Sequence, residues 1–442
     1  MTSHHRLIAL TLFSLALLFT ACGDDSSGDA TPTPEPGDTT EPADVIVIFG
    51  GPEMVRSALA GGKDAAGVQM FLLASGSAGD GQFDPAALPT VLIRGAKLVA
   101  TPRDVDFAER FSAAYPYDAE YPGFREAYDS VYLVALAAAA ANSTDPALVR
   151  DNLLFVANSP GEQATASPDG LSRAIELLSA GNDLDLSGAS GLLDFSRDSG
   201  GQSETSKAAA EVWTILNGAY APLETRDVDL VAEVDAENPP GELKRGDGLI
   251  APIKIGAIVS ITGSDSERGV AIANAMQFAG DEINEAGGIG GQTLELVLKD
   301  DGGDPDAAKE AADALTAEAV VAIIGPSTDA SAVAVAGDLN SDSPVPLLTL
   351  TPAAELAGVE SGRLFNVAPL ATVETVVLAN LAREAKLSVA CVIQEDAAGS
   401  EAMTAAFRQA FEFKGGQLRA PIIVTAGKEP DYASVLGGCF DD

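Results

Sequence analysis

The feature that most constrains this chain is the alternation of strand and helix patterns that starts at Ile253. The apolar runs IKIGAIVSI, TLELVLKD and VVAIIG predict buried strands, and the amphipathic segments between them predict helices. Three further strand runs and two helix patterns continue this series toward the C-terminus. Apolar strands that alternate with helices predict an α/β fold with parallel sheets covered on both faces.

The last helix pattern of the series, DYASVLGG, is followed only by CFDD. An α/β series calls for a buried strand at this point. Such a strand, ADVIVIFGG, begins at Ala43, near the other end of the chain. We therefore expect the segment from Asp44 to Phe49 to complete the fold that begins at Ile253.

Composition and net charge disfavour several kinds of partner and catalytic site. Hydrophobic residues make up 46% of the 442-residue chain, which is enough for globular cores, and the net charge of −39 disfavours nucleic acid and anionic lipid as partners. The two histidines, His4 and His5, lie in the N-terminal apolar segment, so histidine-based nucleophile systems and imidazole zinc sites are not expected. We predict no metal and no cofactor. The segment DFSRDSGGQSE departs from a calcium loop at Ser199 and Thr205, and we interpret it as a turn between strands.

The first 22 residues read as a secretion signal, with one arginine, an apolar run from Leu7 to Phe19, and small residues before Cys22. The motif FTAC resembles a bacterial lipoprotein lipobox, which implies lipidation of Cys22; an ordinary signal peptide is the alternative. Residues 23–42 are rich in Pro, Thr and acidic residues and predict a disordered tether. No second apolar run approaches the roughly 20 residues that a membrane span needs. The expected location is the cell envelope, with the membrane reached only through the lipid.

Residues 253–442 resemble the first half of a periplasmic binding protein of the branched-chain amino acid (Leu/Ile/Val) class, which has the type I binding-protein fold. The motifs that carry the resemblance are GVAIANAMQFAGDEINEAGGIGGQTLELVLKDDGGDP, VVAIIGPS and VPLLTLTPA. Residues 43–223 resemble the second half, through ADVIVIFGG, FREAYDSVYLVALAAAAA, LSGASGLLDFSRDSG and EVWTILNGAY. The two halves therefore stand in reversed order.

This order predicts a circular permutation, in which residues 224–252 form a Pro/Gly/charged linker between the ancestral termini. A flexible linker of this length typically spans about 30 Å. Two alternatives stay open: the halves of two chains could pair as a domain-swapped dimer, or the chain could be a fragment of a rearranged tandem gene whose missing halves make it unfoldable.

The resemblance implies two Rossmann-like lobes joined by three crossings, with a ligand held between them. Lobe one would take 253–373 and 106–185, and lobe two 374–442, 44–105 and 186–223. Ligands of such sheets bind outside the carboxyl ends of the strands.

The strand ends supply the candidate binding residues. Ser327, Thr328 and Asp329 follow one strand and lead into a helix whose first amides could bind a carboxylate, and Thr349 and Thr351 follow the next strand. The resemblance implies that the α-carboxylate and α-ammonium of an amino-acid-like ligand bind here. Helix capping and turn formation are the alternative roles of these hydroxyls.

Other candidates come from the loops. Arg268 stands where the family commonly has an aromatic residue, and it either binds an additional acid group of the ligand or pairs with Asp265 or Glu267 on its own loop. Asp396 and Asp80 are candidate partners for an ammonium group. Cys391 and Cys439 form either one disulfide or two buried thiols.

The resemblance implies a solute-binding protein that delivers a small polar ligand to the permease of an ABC importer. A ligand-sensing receptor, or a surface lipoprotein with a degenerate pocket, is the alternative. We do not expect an enzyme, because no spacing of residues predicts a catalytic site.

Overall fold

The computed structural model describes residues 38–62, 67–75, 82–101, 104–115, 121–158, 160–197, 203–230, 241–250, 252–338, 343–359, 361–397, 399–425, 427–428 and 430–440. The predicted signal segment, the lipidation residue Cys22 and the candidate Asp80 lie outside these residues. No helix in the described ranges has the length and apolar character needed to cross a bilayer.

The strands are β1 (Val45–Phe49), β2 (Met70–Leu73), β3 (Leu92–Val99), β4 (Glu162–Thr165), β5 (Leu184–Ser187), β6 (Phe195–Arg197), β7 (Ser203–Thr205), β8 (Lys207–Leu216), β9 (Ala219–Asp229), β10 (Ile253–Val259), β11 (Leu294–Asp300), β12 (Ala322–Ile324), β13 (Leu347–Thr349), β14 (Leu364–Asn366), β15 (Val389–Glu395), β16 (Gln417–Leu418) and β17 (Ile422–Val424). The helices are α1 (Pro52–Gly61), α2 (Phe107–Ala114), α3 (Phe124–Ala141), α4 (Pro146–Ala157), α5 (Pro168–Ala180), α6 (Ser266–Glu285), α7 (Pro305–Ala317), α8 (Asp329–Gly337), α9 (Thr372–Glu384), α10 (Ser400–Phe413) and α11 (Tyr432–Gly437), and a 3-10 turn covers Ala354–Gly358.

Two large sheets organise the described residues and define two lobes. The lobe-one sheet has the order β11-β10-β12-β13-β14-β7-β6, and the lobe-two sheet has the order β16-β15-β1-β2-β3-β8-β9, with β17 paired to β15. Most neighbouring pairs are parallel, whereas β8 runs antiparallel to β3 and β9. The short pair β4-β5 packs with α4 and α5. The predicted α/β class with parallel sheets is confirmed.

Strand alternation divides the apolar side chains between the two faces of each sheet. In β1, Val45, Val47 and Phe49 enter one core, and Ile46 and Ile48 enter another. Because both faces are covered by helices, such strands are apolar at every position, as the sequence indicates. Helix α3 is buried along nearly its whole length between α4 and α6, which explains why it is apolar on almost all sides.

The junction of the two sequence halves lies in the lobe-two sheet. Strand β1 pairs in parallel with β15 on one side, from Val45 opposite Ala390 to Phe49 opposite Gln394, and with β2 on the other side. The Asp44 carboxylate accepts hydrogen bonds from the amides of Ser388 and Val389 at 2.9 and 3.1 Å. The strand that the C-terminal series lacks is therefore β1 of the same chain, as predicted.

A disulfide joins Cys391 of β15 to Cys439, with their Cα atoms 5.7 Å apart. Cys439 follows α11, and its carbonyl oxygen accepts a hydrogen bond from the amide of Ala43 at 3.1 Å. The bond therefore holds the end of α11 beside the start of β1.

Three boundaries differ from the sequence prediction. Strands β6 and β7 belong to the lobe-one sheet, because β7 pairs with β14, whereas we had assigned 186–223 entirely to lobe two. The predicted linker 224–252 begins too early, since residues up to Asp229 continue the β8-β9 hairpin. The predicted tether 23–42 extends too far: Asp38 pairs with Arg408 at 2.7 Å, and the amide of Thr39 donates to the carbonyl of Leu418.

Candidate ligand-binding site

A cavity of about 390 Å³ is lined by segments of both lobes. Three chain passages between the sheets contribute to its wall: the end of β3 with the residues that follow, the β7-β8 junction, and residues 367–371 between β14 and α9. Gly123 brings the start of α3 close to this wall. Its φ is 84°, and a Cβ atom there would lie 2.6 Å from the carbonyl oxygen of Leu350, so the position requires glycine.

Among the described residues, five charged side chains line this interlobe cavity: Lys97, Arg125, Glu126, Lys207 and Glu374. Arg125 lies over the ring of Phe107 and donates to the carbonyl of Ala189 at 3.1 Å, and Lys207 forms a 3.0 Å ion pair with buried Asp194. Lys97 is exposed on β3. The wall therefore combines cations, carboxylates and apolar surface, a combination that suits a small polar organic ligand.

Glu374 is the most deeply buried of these charged groups, with 2% of its surface exposed. It lies in the first turn of α9, and its carboxylate accepts hydrogen bonds from the amides of Ser75 and Leu98 at 2.8 and 3.3 Å. Burial raises the pKa of the Glu374 carboxyl, while these hydrogen bonds and the charge of Lys97 act in the opposite direction. A ligand cation placed here would therefore stabilise the ionised carboxylate.

Asp129 supports another part of the wall from beneath. It is fully buried in α3, and its carboxylate accepts hydrogen bonds from the amides of Ala189 and Ser190 at 2.8 and 2.7 Å and from the Ser190 hydroxyl at 2.6 Å. Burial raises the pKa of Asp129 to about 7 although these hydrogen bonds lower it. Since Ser190 and Gly191 line the cavity, Asp129 fixes the position of this loop.

Two of the predicted binding hydroxyls make hydrogen bonds within lobe one. The buried Ser327 hydroxyl oxygen accepts from the amide of Ser260 at 3.0 Å, and the Thr349 hydroxyl donates to the side-chain oxygen of Asn366 at 2.6 Å. These contacts are structural, which is the alternative to ligand binding that the sequence left open for these hydroxyls. Neither residue lines the interlobe cavity.

Thr328 and Thr351 differ from that pair, because their hydroxyl oxygens are buried without a hydrogen-bond partner among the residues that the structure describes. Thr351 lies between Leu350 and Pro352, which both line the cavity, and Thr328 immediately precedes α8. Asp329, the first residue of α8, is exposed. The two unpartnered hydroxyls are the predicted lobe-one groups with unused hydrogen-bonding capacity.

Arg268 pairs with a residue of its own loop. Its guanidinium forms an ion pair with Asp265 at 2.7 Å and donates to the carbonyl oxygens of Ser327 and of Pro122, the latter at 3.4 Å. Only 17% of its side chain is exposed. These contacts correspond to pairing within its own loop, which the sequence left open as the alternative to binding an acid group of the ligand. They also connect α6 to the segment before α3.

On lobe two, Asp396 follows β15, is exposed, and is held by a hydrogen bond from its amide to the carbonyl of Val424. It does not line the interlobe cavity, and neighbouring Glu395 instead accepts from the amide of Gly51 at 2.7 Å.

Sequence reasoning missed Lys97, Arg125 and Glu374. The one signal for Glu374 was a carboxylate within the otherwise apolar helix start TVETVV. Within the described residues, no group of three or more Asp, Glu, His or Cys side chains is placed to hold a metal ion.

Comparison with known proteins identifies the C-terminal half. The sequence profile described as "Periplasmic binding protein" matches residues 252–437. Residues 252–437 are thus similar to the periplasmic binding protein family. This binding-protein segment supplies β10–β17 and α6–α11, and so most of the lobe-one sheet and the part of lobe two that pairs with β1.

Individual relatives match part of the chain. The Leu/Ile/Val-binding protein BraC3 of Rhizobium johnstonii is 34% identical over 117 residues, which are 26% of this chain and 31% of that protein. The leucine-binding protein LivK of Thermotoga maritima is 24% identical, with a TM-score of 0.31 over 41% of this chain and 51% of its own. A solute-binding protein of an ABC transporter from Rhodopseudomonas palustris, solved with 3,4-dihydroxybenzoic acid, is 23% identical, with a TM-score of 0.30 over 39% and 47%. This chain thus spans about a third of the curated relative and about half of the two solved chains.

Proposed function

We propose that this protein is an extracytoplasmic, lipid-anchored solute-binding protein that holds a small amino-acid-like ligand between its lobes and delivers it to the permease of an ABC importer. The observation that carries the proposal is the interlobe cavity of about 390 Å³, bordered by the passages between the lobes. A closure of the lobes about these passages would enclose the ligand. The family of the C-terminal half, and the secretion and lipobox motifs ending at Cys22, support the same role.

Within the cavity, we assign the ligand ammonium to Glu374 and the ligand carboxylate to Lys97. The buried Glu374 carboxylate provides a low-dielectric site in which an ammonium group binds strongly. Binding needs no chemical step, so the proposed protein is not an enzyme.

We also propose that the two halves are circularly permuted. The pairing of β1 between β15 and β2 supports this order, because it gives the C-terminal series its next strand within one chain. The linker then connects β9 of lobe two to β10 of lobe one.

Isothermal titration with a panel of amino acids, dicarboxylates and amides tests the binding role, after thermal-shift screening has selected the ligands. We expect an amino-acid-like compound to bind, and Glu374→Gln to weaken its affinity by about 10- to 100-fold, because a hydrogen bond to a charged group contributes roughly 1.5–3 kcal/mol. Glu401→Gln is the matched control, since Glu401 is an exposed glutamate in the first turn of α10. Equal affinities of the two variants would exclude Glu374 from the site.

A second function, a ligand-sensing receptor or a surface lipoprotein with a degenerate pocket, is favoured by one observation. Ser327, Thr349 and Arg268, three of the predicted binding residues, make contacts within the protein. If no compound of the panel shifts the melting temperature, this second function replaces transport.

A further inference from the structure

A second cavity, of about 130 Å³, lies in lobe one and shares no lining residue with the interlobe cavity. Its wall is built by α7, α8 and the start of β13, together with Arg363, which precedes β14. A volume of this size exceeds the roughly 30 Å³ that one water molecule occupies. The second cavity can therefore hold a small solute.

Arg363 places a buried positive charge in this wall. Its exposed fraction is 6%; Nη1 donates to the carbonyl of Val345 at 3.2 Å, and Nη2 has no hydrogen-bond partner. None of the described residues forms an ion pair with it, and burial, with the nearby charge of Arg150, lowers its pKa. A guanidinium nevertheless stays protonated in proteins, and buried charges are normally paired. Because Arg363 lines the second cavity, its positive charge favours an anion there.

The other polar groups define which anion fits. Lys309 and Ser343 line the same cavity, and Lys309 also pairs with exposed Asp306 at 2.7 Å. The other polar lining residues are Asp313, Asp338 and Thr316, all exposed, and the Thr316 hydroxyl donates to the carbonyl of Ala312 at 2.9 Å. A fully ionised anion offers only acceptors to these two carboxylates, whereas an anion that keeps a proton can donate a hydrogen bond to one of them.

We propose that the second cavity binds a small oxyanion that retains a proton, of which hydrogen phosphate is the example. The Arg363 guanidinium attracts the ionised oxygens, and Asp313 or Asp338 accepts the hydrogen bond from the protonated oxygen. This site is independent of the interlobe cavity and of the proposed transport function.

Thermal unfolding in phosphate, sulfate and chloride at pH 7 and matched ionic strength tests the proposal. Phosphate at concentrations well above its Kd should raise the Tm by a few degrees above the value in sulfate. Sulfate is the control, because both salts stabilise proteins by exclusion from the surface but only phosphate keeps a proton at this pH. An equal rise in the two salts would mean exclusion alone and would overturn the site.

Substitutions locate the effect. Arg363→Met should abolish the phosphate increment, and it should leave the Tm in chloride unchanged or higher, because it replaces an unpaired buried charge with an apolar chain of similar length. Lys97→Met, in the interlobe cavity, should retain the increment. If Lys97→Met removes the increment and Arg363→Met keeps it, phosphate binds between the lobes and the proposal is wrong, without bearing on transport.

The double substitution Asp313→Asn and Asp338→Asn gives a second test that does not disturb the buried arginine. Both side chains are exposed, so the variant should fold. An amide can donate to an ionised oxygen, and the variant should therefore bind sulfate nearly as well as phosphate. A preference for phosphate that survives this change would contradict the assignment of these two residues.

Discussion

At the scale of single residues, buried carboxyl groups fix the wall of the interlobe cavity. Asp129 and Glu374 are both buried carboxyls, one beneath the 188–191 loop and one at the start of α9. Each accepts hydrogen bonds from backbone amides and so fixes a segment of the interlobe cavity. Because burial disfavours the ionised form, both pKa values are raised, and part of the folding free energy depends on pH.

Asp129 gives a pH dependence with a definite sign. Burial raises its pKa from the ordinary aspartate value of 3.8 to about 7 in the folded protein, so the folded state binds the proton more tightly. The stability from this group is fully present below the unfolded pKa and is lost as pH rises toward about 7. Relative to Asp129→Asn, the wild-type free energy of unfolding should fall by up to about 1.4 kcal/mol per pH unit in that window.

Urea denaturation of wild type and Asp129→Asn at several pH values between 4 and 8 measures this difference. Above pH 7 the difference should become constant, because Asp129 is then ionised in both states. A difference that does not vary with pH would show that Asp129 has an ordinary pKa in the fold.

At the scale of elements, the junction of β1, β15 and α11 holds the two sequence halves together. Hydrogen bonds from the amides of Ser388 and Val389 to Asp44 align the strand starts, and the Cys391–Cys439 disulfide attaches α11. Asp44 is distant in sequence from Ser388 and Val389, and Cys391 is distant in sequence from Cys439. These contacts hold β1, which begins at Val45, beside β15, which begins at Val389. The two sequence halves therefore share one sheet.

Removal of this disulfide should destabilise the protein. The cysteines are 48 residues apart in sequence, and in the chain-entropy model a loop of that size corresponds to about 4 kcal/mol. The double variant Cys391→Ala and Cys439→Ala should lose that amount in urea denaturation and should be insensitive to dithiothreitol. Wild type treated with the reductant should approach the variant. A wild-type midpoint that reductant leaves unchanged would mean that the bond contributes nothing.

At the scale of the molecule, the proposed permutation implies that the order of the two sequence halves can be changed without changing the fold. A recut chain, with residues 241–442 followed directly by 43–230, would join Asp442 to Ala43, whose amide already lies 3.1 Å from the carbonyl oxygen of Cys439. It would keep residues 241–250, which contact α3 and α4 through Gly246 and Lys244. The same sheets should form, because no strand pairing is lost.

Circular dichroism melts and light scattering compare the recut chain with the original. We expect two monomers whose Tm values differ by a few degrees, as the two chains share the same packed interior. An original chain that is a dimer, beside a monomeric recut chain, would indicate that the halves pair between molecules. An aggregated recut chain would argue against the permutation.

The sequence by itself determined the α/β class, the positions of β10 to β13, β15 and β17, and the need for a strand at residues 44–49. These features follow from local apolar periodicity and from the requirement that a buried sheet edge be paired. It also indicated the cysteine pair, although not whether the two thiols are joined.

The tertiary structure alone decided which polar groups face a cavity. Glu374 and Lys97 come from segments far apart in sequence, and their surroundings depend on how the passages between the lobes pack. For the same reason, the sequence placed β6 and β7 in the wrong lobe: three-residue strands carry little periodicity, and the pairing of β7 with β14 fixes their sheet. Burial and hydrogen bonding between distant segments, which no local pattern encodes, thus assigned the candidate site.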